Sequence, residues 1–268
     1  MTRTWDEALN HWTAWLRAAD RASGTIKLRQ SQVRRLAADV APLGPWDVTA
    51  DDLVAWLGRP GWSADTRRSH RAAVRTFYGW ATSTGRLTVD PAAALPSVKA
   101  RPGRPRPAAE DVIADALAAA DERDALMIRL GAHAGLRACE IATLHSRRLR
   151  RDLDGWTVTV LGKGGKVRDV PLSAELAGAL RARPPGWAFP GRQDGHLSAA
   201  YVSRRLSWAL GAGTTGHQLR HRFGSAAYRG ERDLRAVQVL LGHASVATTQ
   251  LYVAVPDGAL RRAVLAAA

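Results

Sequence analysis

Between Lys99 and Pro107 the chain reads KARPGRPRP, and with Pro96 just ahead it holds four prolines and three arginines. Proline lacks the amide donor a helix needs and clashes with the preceding turn, so no helix crosses this stretch. An extended, semi-rigid basic linker is predicted over residues 98–108. It divides the 268-residue chain into residues 1–97 and residues 109–268, both of a size that suits a domain.

The N-terminal part reads as four helices. Trp5, Leu9, Trp12 and Leu16 recur at helical spacing. Ser23 is placed to cap a second helix that carries Ile26, Val33 and Leu36. Thr49, with Asp52 three residues on, resembles a capping box before a short helix ending near Leu57. Ser63 is placed to cap a fourth helix bearing Val74, Phe77 and Trp80. Seven of the ten tryptophans lie here, and their helical spacing predicts core positions. Arg67, Arg71 and Arg75 follow at i, i+4 and i+8, so they share one stripe. Lys27 and Arg34, with Arg35, add charge to the second helix. Such a basic face is either solvated or laid on phosphates.

The C-terminal part mixes helix and strand. Helices are predicted over 111–120, 124–134, 173–181 and 198–210, and from His217 onward. WTVTVL, at 156–161, alternates and is rich in β-branched residues, so it reads as a strand. Its partner is predicted at 167–172, with GKGGK as the hairpin turn between them. The fold class that results is mainly α: an N-terminal four-helix domain and a C-terminal helical domain with a small antiparallel sheet.

The formal net charge is +15. That excess points to a polyanion, with nucleic acid the default partner, although abundant Arg, Ala and Gly also fit a GC-biased genome. Cys139 is the single cysteine, which excludes an internal disulfide framework and a cysteine metal cluster. It fits a reducing, cytoplasmic setting, and its expected role is that of a small buried apolar residue. No apolar run is long enough to span a membrane, and MTRTWDEALNHW lacks a signal-peptide core.

Five short segments carry chemistry. In HQLRH, His217 and Arg220 lie three apart and share a helix face near an N-terminus that Thr215 or Gly216 can cap. An anion is welcome there, and Arg220 can donate two hydrogen bonds to phosphate oxygens. A surface His and Arg would read the same way. His217 and His221 have the i, i+4 spacing of metal ligands, but Gln218 stands where a HExxH helix has Glu and no third ligand is in view, so no metal is expected. In GLRACE, Arg137 and Glu140 form either a plain ion pair or a guanidinium held rigid by its own carboxylate. Lys163, in LGKGGK, is either a solvated hairpin tip or an ammonium brought to a leaving oxygen; Lys166 is its local competitor. His243 in LLGHAS precedes Tyr252 by nine residues. A phenol with an ordinary pKa near 10 is a weak nucleophile at neutral pH and needs a base and cations beside it. Otherwise Tyr252 is a half-buried aromatic.

Taken in order, GLRACE, GKGGK, HQLRH, LLGH and the Tyr252 segment resemble the boxes of the tyrosine recombinase family, also called the phage integrase family. LLGHASVATTQLYVAV is especially close to the family's nucleophile region. The four-helix N-terminal part resembles that family's core-binding domain, which is SAM-like, and the part after the linker its catalytic domain. The resemblance implies a metal- and ATP-independent strand transferase with no cofactor. Tyr252 would attack a phosphodiester to give a 3′-phosphotyrosyl link. Arg137 and Arg220 would clamp the phosphate, with His243 bonded to it. His217 would assist proton removal, Lys163 would be the general acid, and Glu140 would support the network. Lys27, Arg34, Arg67, Arg71, Arg75, Lys166, Arg204 and Arg205 are the candidate DNA contacts.

The implied partners are double-stranded DNA core attachment sites and three further copies of the chain in a homo-tetramer, with an accessory directionality factor or host DNA-bending protein as a further partner. The implied location is the cytoplasm of a bacterial host cell, at the nucleoid. Because the helical part begins almost at Met1, a short form without an arm-binding domain is expected, either a minimal integrase or a Xer-like resolvase. A type IB topoisomerase-like activity shares the chemistry, and a non-catalytic DNA-binding regulator shares the fold. The tail after Tyr252 is expected to pack as a short helix, in cis or on a neighbour. The final LAAA resembles a protease-read C-terminus.

Overall fold

The computed structural model describes residues 4–99, 106–162, 165–211, 213–242 and residue 265. The chain divides into two compact units, Met1–Pro102 and Gly103–Ala268.

The first unit holds α1 (Trp5–Ala18), α2 (Ser23–Asp39), α3 (Ala50–Gly58) and α4 (Ala64–Ser83). Thr4 and Glu7 close a capping box at the start of α1, and Thr49 and Asp52 do the same for α3, so two orphan amides are satisfied reciprocally at each. Ser63 caps α4 through the Thr66 amide. Ser23 does not cap α2. The cap is Ala22, which makes no side-chain bond; the helix starts one residue early, leaving the Ser23 hydroxyl inside the first turn. Phe77 sits at the centre of the core, stacked on Trp5 at 5.8 Å and on Trp46 at 5.9 Å and edge-on to Trp12 at 5.2 Å. Leu9, Val33, Leu36, Leu53 and Val74 fill the space around these rings.

The second unit is built round α6 (Glu122–Ala134), which is buried along most of its length, with Leu126, Met127, Ile128, Leu130 and Ala132 in the core. Against it lie α5 (Glu110–Ala119), α7 (Ala138–Ala142), α8 (Ala174–Arg181), α9 (Ala199–Ala209) and α10 (Gly216–Glu231), followed by α11 (Leu234–Leu241). Gly131 lets α6 and α10 approach closely, since a Cβ there would stand 2.9 Å from Leu219 Cδ1.

The sheet is antiparallel in the order β1 (Leu149–Asp152), β2 (Gly155–Leu161), β3 (Val167–Leu172). The β2–β3 register runs from Trp156 opposite Leu172 to Leu161 opposite Val167, and the hairpin closes with the Gly162 amide on the Lys166 carbonyl at 2.7 Å. A short β4 (Pro190–Gln193) follows α8. The mainly α class with a small antiparallel sheet is thus as expected. β1, β4 and α11 are additions. LRRD has no β-branched residue, and β1 is recruited by pairing, with Arg150 reaching Asp169 at 2.7 Å. Cys139 departs from expectation: it is exposed, because the five-residue α7 turns Glu140, Ile141 and Ala142 inward and leaves the thiol outside. No helix among the described residues is long and apolar enough to cross a membrane.

Candidate functional site

α6 stops at Gly135, whose left-handed backbone (φ 65°) serves as its C-cap. A Cβ at Gly135 would lie 2.4 Å from Phe223 Cδ1, so only glycine fits both the turn and the packing. The turn delivers Arg137 to the N-cap of α7 and Glu140 to its first turn.

Glu140 is the hub. Its side chain is fully buried, and its Oε2 accepts the Arg137 amide at 2.8 Å while Oε1 accepts Arg137 Nη1 at 2.8 Å. From β3, Arg168 donates a fork, Nη1 to Oε1 at 2.6 Å and Nη2 to Oε2 at 2.9 Å. From the first turns of α10, Arg220 brings Nη1 to 3.9 Å from Oε2. The Arg220 guanidinium also donates to the Gly135 carbonyl at 2.5 Å and to the Leu241 carbonyl. Three guanidiniums therefore surround one carboxylate, an excess of positive charge beside a helix N-terminus. Burial pushes the Glu140 carboxyl up. Hydrogen bonds from Arg168 and the Arg137 amide, with the charges of both arginines, outweigh that and hold its pKa below the ordinary value.

His217 stands at the rim, at the start of α10, its ring edge-on to His221 with centroids 4.5 Å apart. Desolvation, then the charges of Arg220 and Arg137, lower the His217 pKa. His221 is pushed down to about 4 by burial, then by His217 and Arg220. Both rings are therefore neutral at pH 7, the form in which an imidazole accepts a proton.

The structure thus brings Arg137, Glu140, His217 and Arg220 together. Lys163, His243 and Tyr252 lie outside the described residues, but Gly162 and Gly242, which precede the first two, do not. A Cβ on Gly162 would be 3.5 Å from Glu140 Oε1, and one on Gly242 would be 2.9 Å from Arg168 Cδ. The residues just before Lys163 and His243 therefore pack on the same network.

The candidate DNA contacts divide. Lys27, Arg34, Arg75, Lys166 and Arg204 are exposed. The α4 stripe also makes bonds within its own unit: Arg67 donates to the Leu57 and Arg59 carbonyls, both at 3.0 Å, Arg71 to Leu95 at 2.7 Å and Arg75 to Ala93 at 3.4 Å. Arg205 is engaged with the buried Asp124, its Nε at 3.0 Å, and lies 4.5 Å over the Trp208 ring.

Arg168 was missed by motif reading. Its signal is strand phase: on β3, Val170 is buried and Leu172 half-buried, so Arg168, two residues earlier, must point the same way and needs a buried anion.

The profile described as "Phage integrase family" matches residues 108–258. Tyrosine recombinase XerC of Xanthomonas campestris pv. campestris is 38% identical over 215 residues, which is 72% of this chain and 65% of that protein. The chain thus spans slightly under two thirds of that relative's length. Among solved structures, the integrase of mycobacterium phage Brujita is 32% identical, with a TM-score of 0.50 over 94% of this chain and 88% of that one. A lambda integrase tetramer bound to a Holliday junction has a TM-score of 0.69 at 20% identity, over 91% of this chain and 78% of that one.

Proposed function

Because this chain belongs to the phage integrase family of tyrosine recombinases, we propose that it is a site-specific DNA recombinase that cuts and rejoins duplex DNA through a 3′-phosphotyrosyl intermediate. The observation that supports this best is the pairing of Arg137 and Arg220 with the buried Glu140, with His217 within range of both arginines' charges, inside the residues that match the family. A scaffold for binding alone has no need of two guanidiniums beside a neutral imidazole.

In this reading the Tyr252 oxygen attacks phosphorus as His217 takes its proton. The P–O bond to the 5′ carbon breaks, and Lys163 protonates the leaving oxygen, an alkoxide too basic to depart unaided. Arg137, Arg220 and His243 stabilise the added negative charge on the non-bridging oxygens. The new ester conserves the bond energy, so a 5′-hydroxyl from another strand reverses the step with no metal or nucleotide cofactor. The phosphates of a core site are the polyanion that the net charge calls for. Strand exchange needs four copies on DNA, an assembly for which the lambda integrase tetramer offers a precedent. The work is done in the cytoplasm, on the nucleoid, with any directionality or DNA-bending factor supplied by the host.

The resemblance to a tyrosine recombinase named XerC keeps a Xer-like resolvase as the second reading of the same chemistry. Sequencing the junctions formed in cells that express the protein separates resolution from integration.

A pool of nicked duplexes of randomised sequence traps the intermediate, because the short 5′ fragment diffuses away. A covalent protein–DNA adduct is expected with the wild type, unaffected by chelators and absent in Tyr252→Phe. Arg137→Ala slows its formation by about a hundredfold or more. An adduct that survives in Tyr252→Phe, or none in the wild type, defeats the proposal.

A further inference from the structure

Arg168 belongs to none of the five sequence segments, yet it touches the surroundings of most of them. Its fork holds both oxygens of Glu140, at 2.6 and 2.9 Å. Its Nε donates to the Leu240 carbonyl at 2.8 Å, at the end of α11. Its aliphatic stem lies against Gly242, and its Nη1 would be 3.8 Å from a Cβ on Gly162. The side chain is only 9% exposed, so these contacts are made largely away from water.

We propose that Arg168 is a positioning residue. It brackets three separate segments, the β2–β3 hairpin that leads to Lys163, the α7 start with Arg137, and the α11 end that leads to His243, onto one buried carboxylate. This deepens the recombinase reading and rests on it for what those segments do.

Two physical consequences follow. The first is geometric: a planar guanidinium meets a carboxylate with two parallel bonds and still has Nε for a carbonyl at its side, which a single ammonium cannot match. The second is electrostatic: by neutralising Glu140, Arg168 leaves the positive charge of Arg137 and Arg220 available to an anion. Without it, Glu140 would pair more closely with Arg220, now 3.9 Å away, and site charge and hairpin position would be lost together.

The test uses the full chain and two readouts. With the randomised nicked duplex pool, Arg168→Ala should form adduct about a hundredfold more slowly, the cost of a small misplacement of reacting groups, while its affinity for duplex DNA falls far less than that rate. Arg168→Lys should recover part of the rate. The double variant Arg168→Ala with Glu140→Gln should be no slower than the slower single variant, because the two residues act as one unit.

The second readout needs no DNA. Hydrogen exchange of the Arg137 amide, bonded to Glu140, and of the amides at the end of α11 should accelerate together in Arg168→Lys, a variant that keeps the stem and the charge. A wild-type adduct rate in Arg168→Ala, multiplicative losses in the double variant, or unchanged exchange at both segments overturns the bracket. If the wild type forms no adduct, the recombinase reading fails while exchange still decides the role of Arg168.

Discussion

In the N-terminal unit the largest buried side chains are Trp12, Tyr78 and Phe77, packed ring against ring; in the C-terminal unit Arg220 is buried as completely, and Glu140 is 1% exposed. The charges of the first unit mostly lie outside its core and tie loops down from the surface, as Arg67 and Arg71 do. The second carries charges inward and surrounds them with partners. A hydrophobic core is the more economical way to stabilise a domain, because a buried ion loses its hydration and needs excellent geometry to recover it. Ionic groups at core depth therefore point to a role other than stability.

That contrast can be broken by experiment. The largest effect is expected in the first unit: Trp12→Ala should cost about 3–5 kcal/mol, the price of a large cavity in an aromatic core, read as a shifted urea midpoint by circular dichroism. If Trp12 proves tolerant, the rings do not hold that unit together.

A smaller effect should appear in the second unit on acidification. His221 has a folded pKa of about 4 against an ordinary 6.5. Below pH 6.5 the unfolded chain binds a proton that the folded one refuses, so stability falls as pH drops from about 6.5 to about 4. The Glu140 carboxyl, held below its ordinary value, adds its loss at the acid end of that range and beyond. His221→Gln should flatten the upper part of the slope. An equal slope in wild type and variant would mean that His221 is not held neutral by the fold. His70 in the first unit is lowered too, by burial first, so the second unit should show the steeper dependence rather than the only one.

The smallest effect is expected at a helix end. Thr49→Ala removes one half of the exposed capping box at the start of α3 and should cost about 1 kcal/mol, again read from the urea midpoint. A loss as large as that of Trp12→Ala would show that the cap carries tertiary contacts as well.

Much of this was open to a reader of the sequence, because it depends on neighbours in the chain. Helical spacing of Trp5, Leu9, Trp12 and Leu16 buries one side of α1; Thr49 and Asp52 meet because three residues of helix bring them together. The alternation of WTVTVL makes a strand, and HQLRH sets His217 and Arg220 near the start of one helix. Ser23 shows the limit: a good capping residue is passed over when the helix begins one position earlier. Cys139 shows another, since a five-residue helix can face either way until something packs against it.

The amino-acid sequence by itself determined most of the helices, the two strands of the hairpin and the polar residue types that the chain carries in its short motifs, since each is fixed by local geometry or by the residues themselves. Only the tertiary structure decided that Glu140 would be the buried centre, that Arg168 would grip it from a strand 28 residues away, and that Arg220 would reach back to the carbonyls of Gly135 and Leu241. The physical reason is that a buried carboxylate must find its cations wherever packing allows, and packing joins residues whose separation along the chain carries no signal.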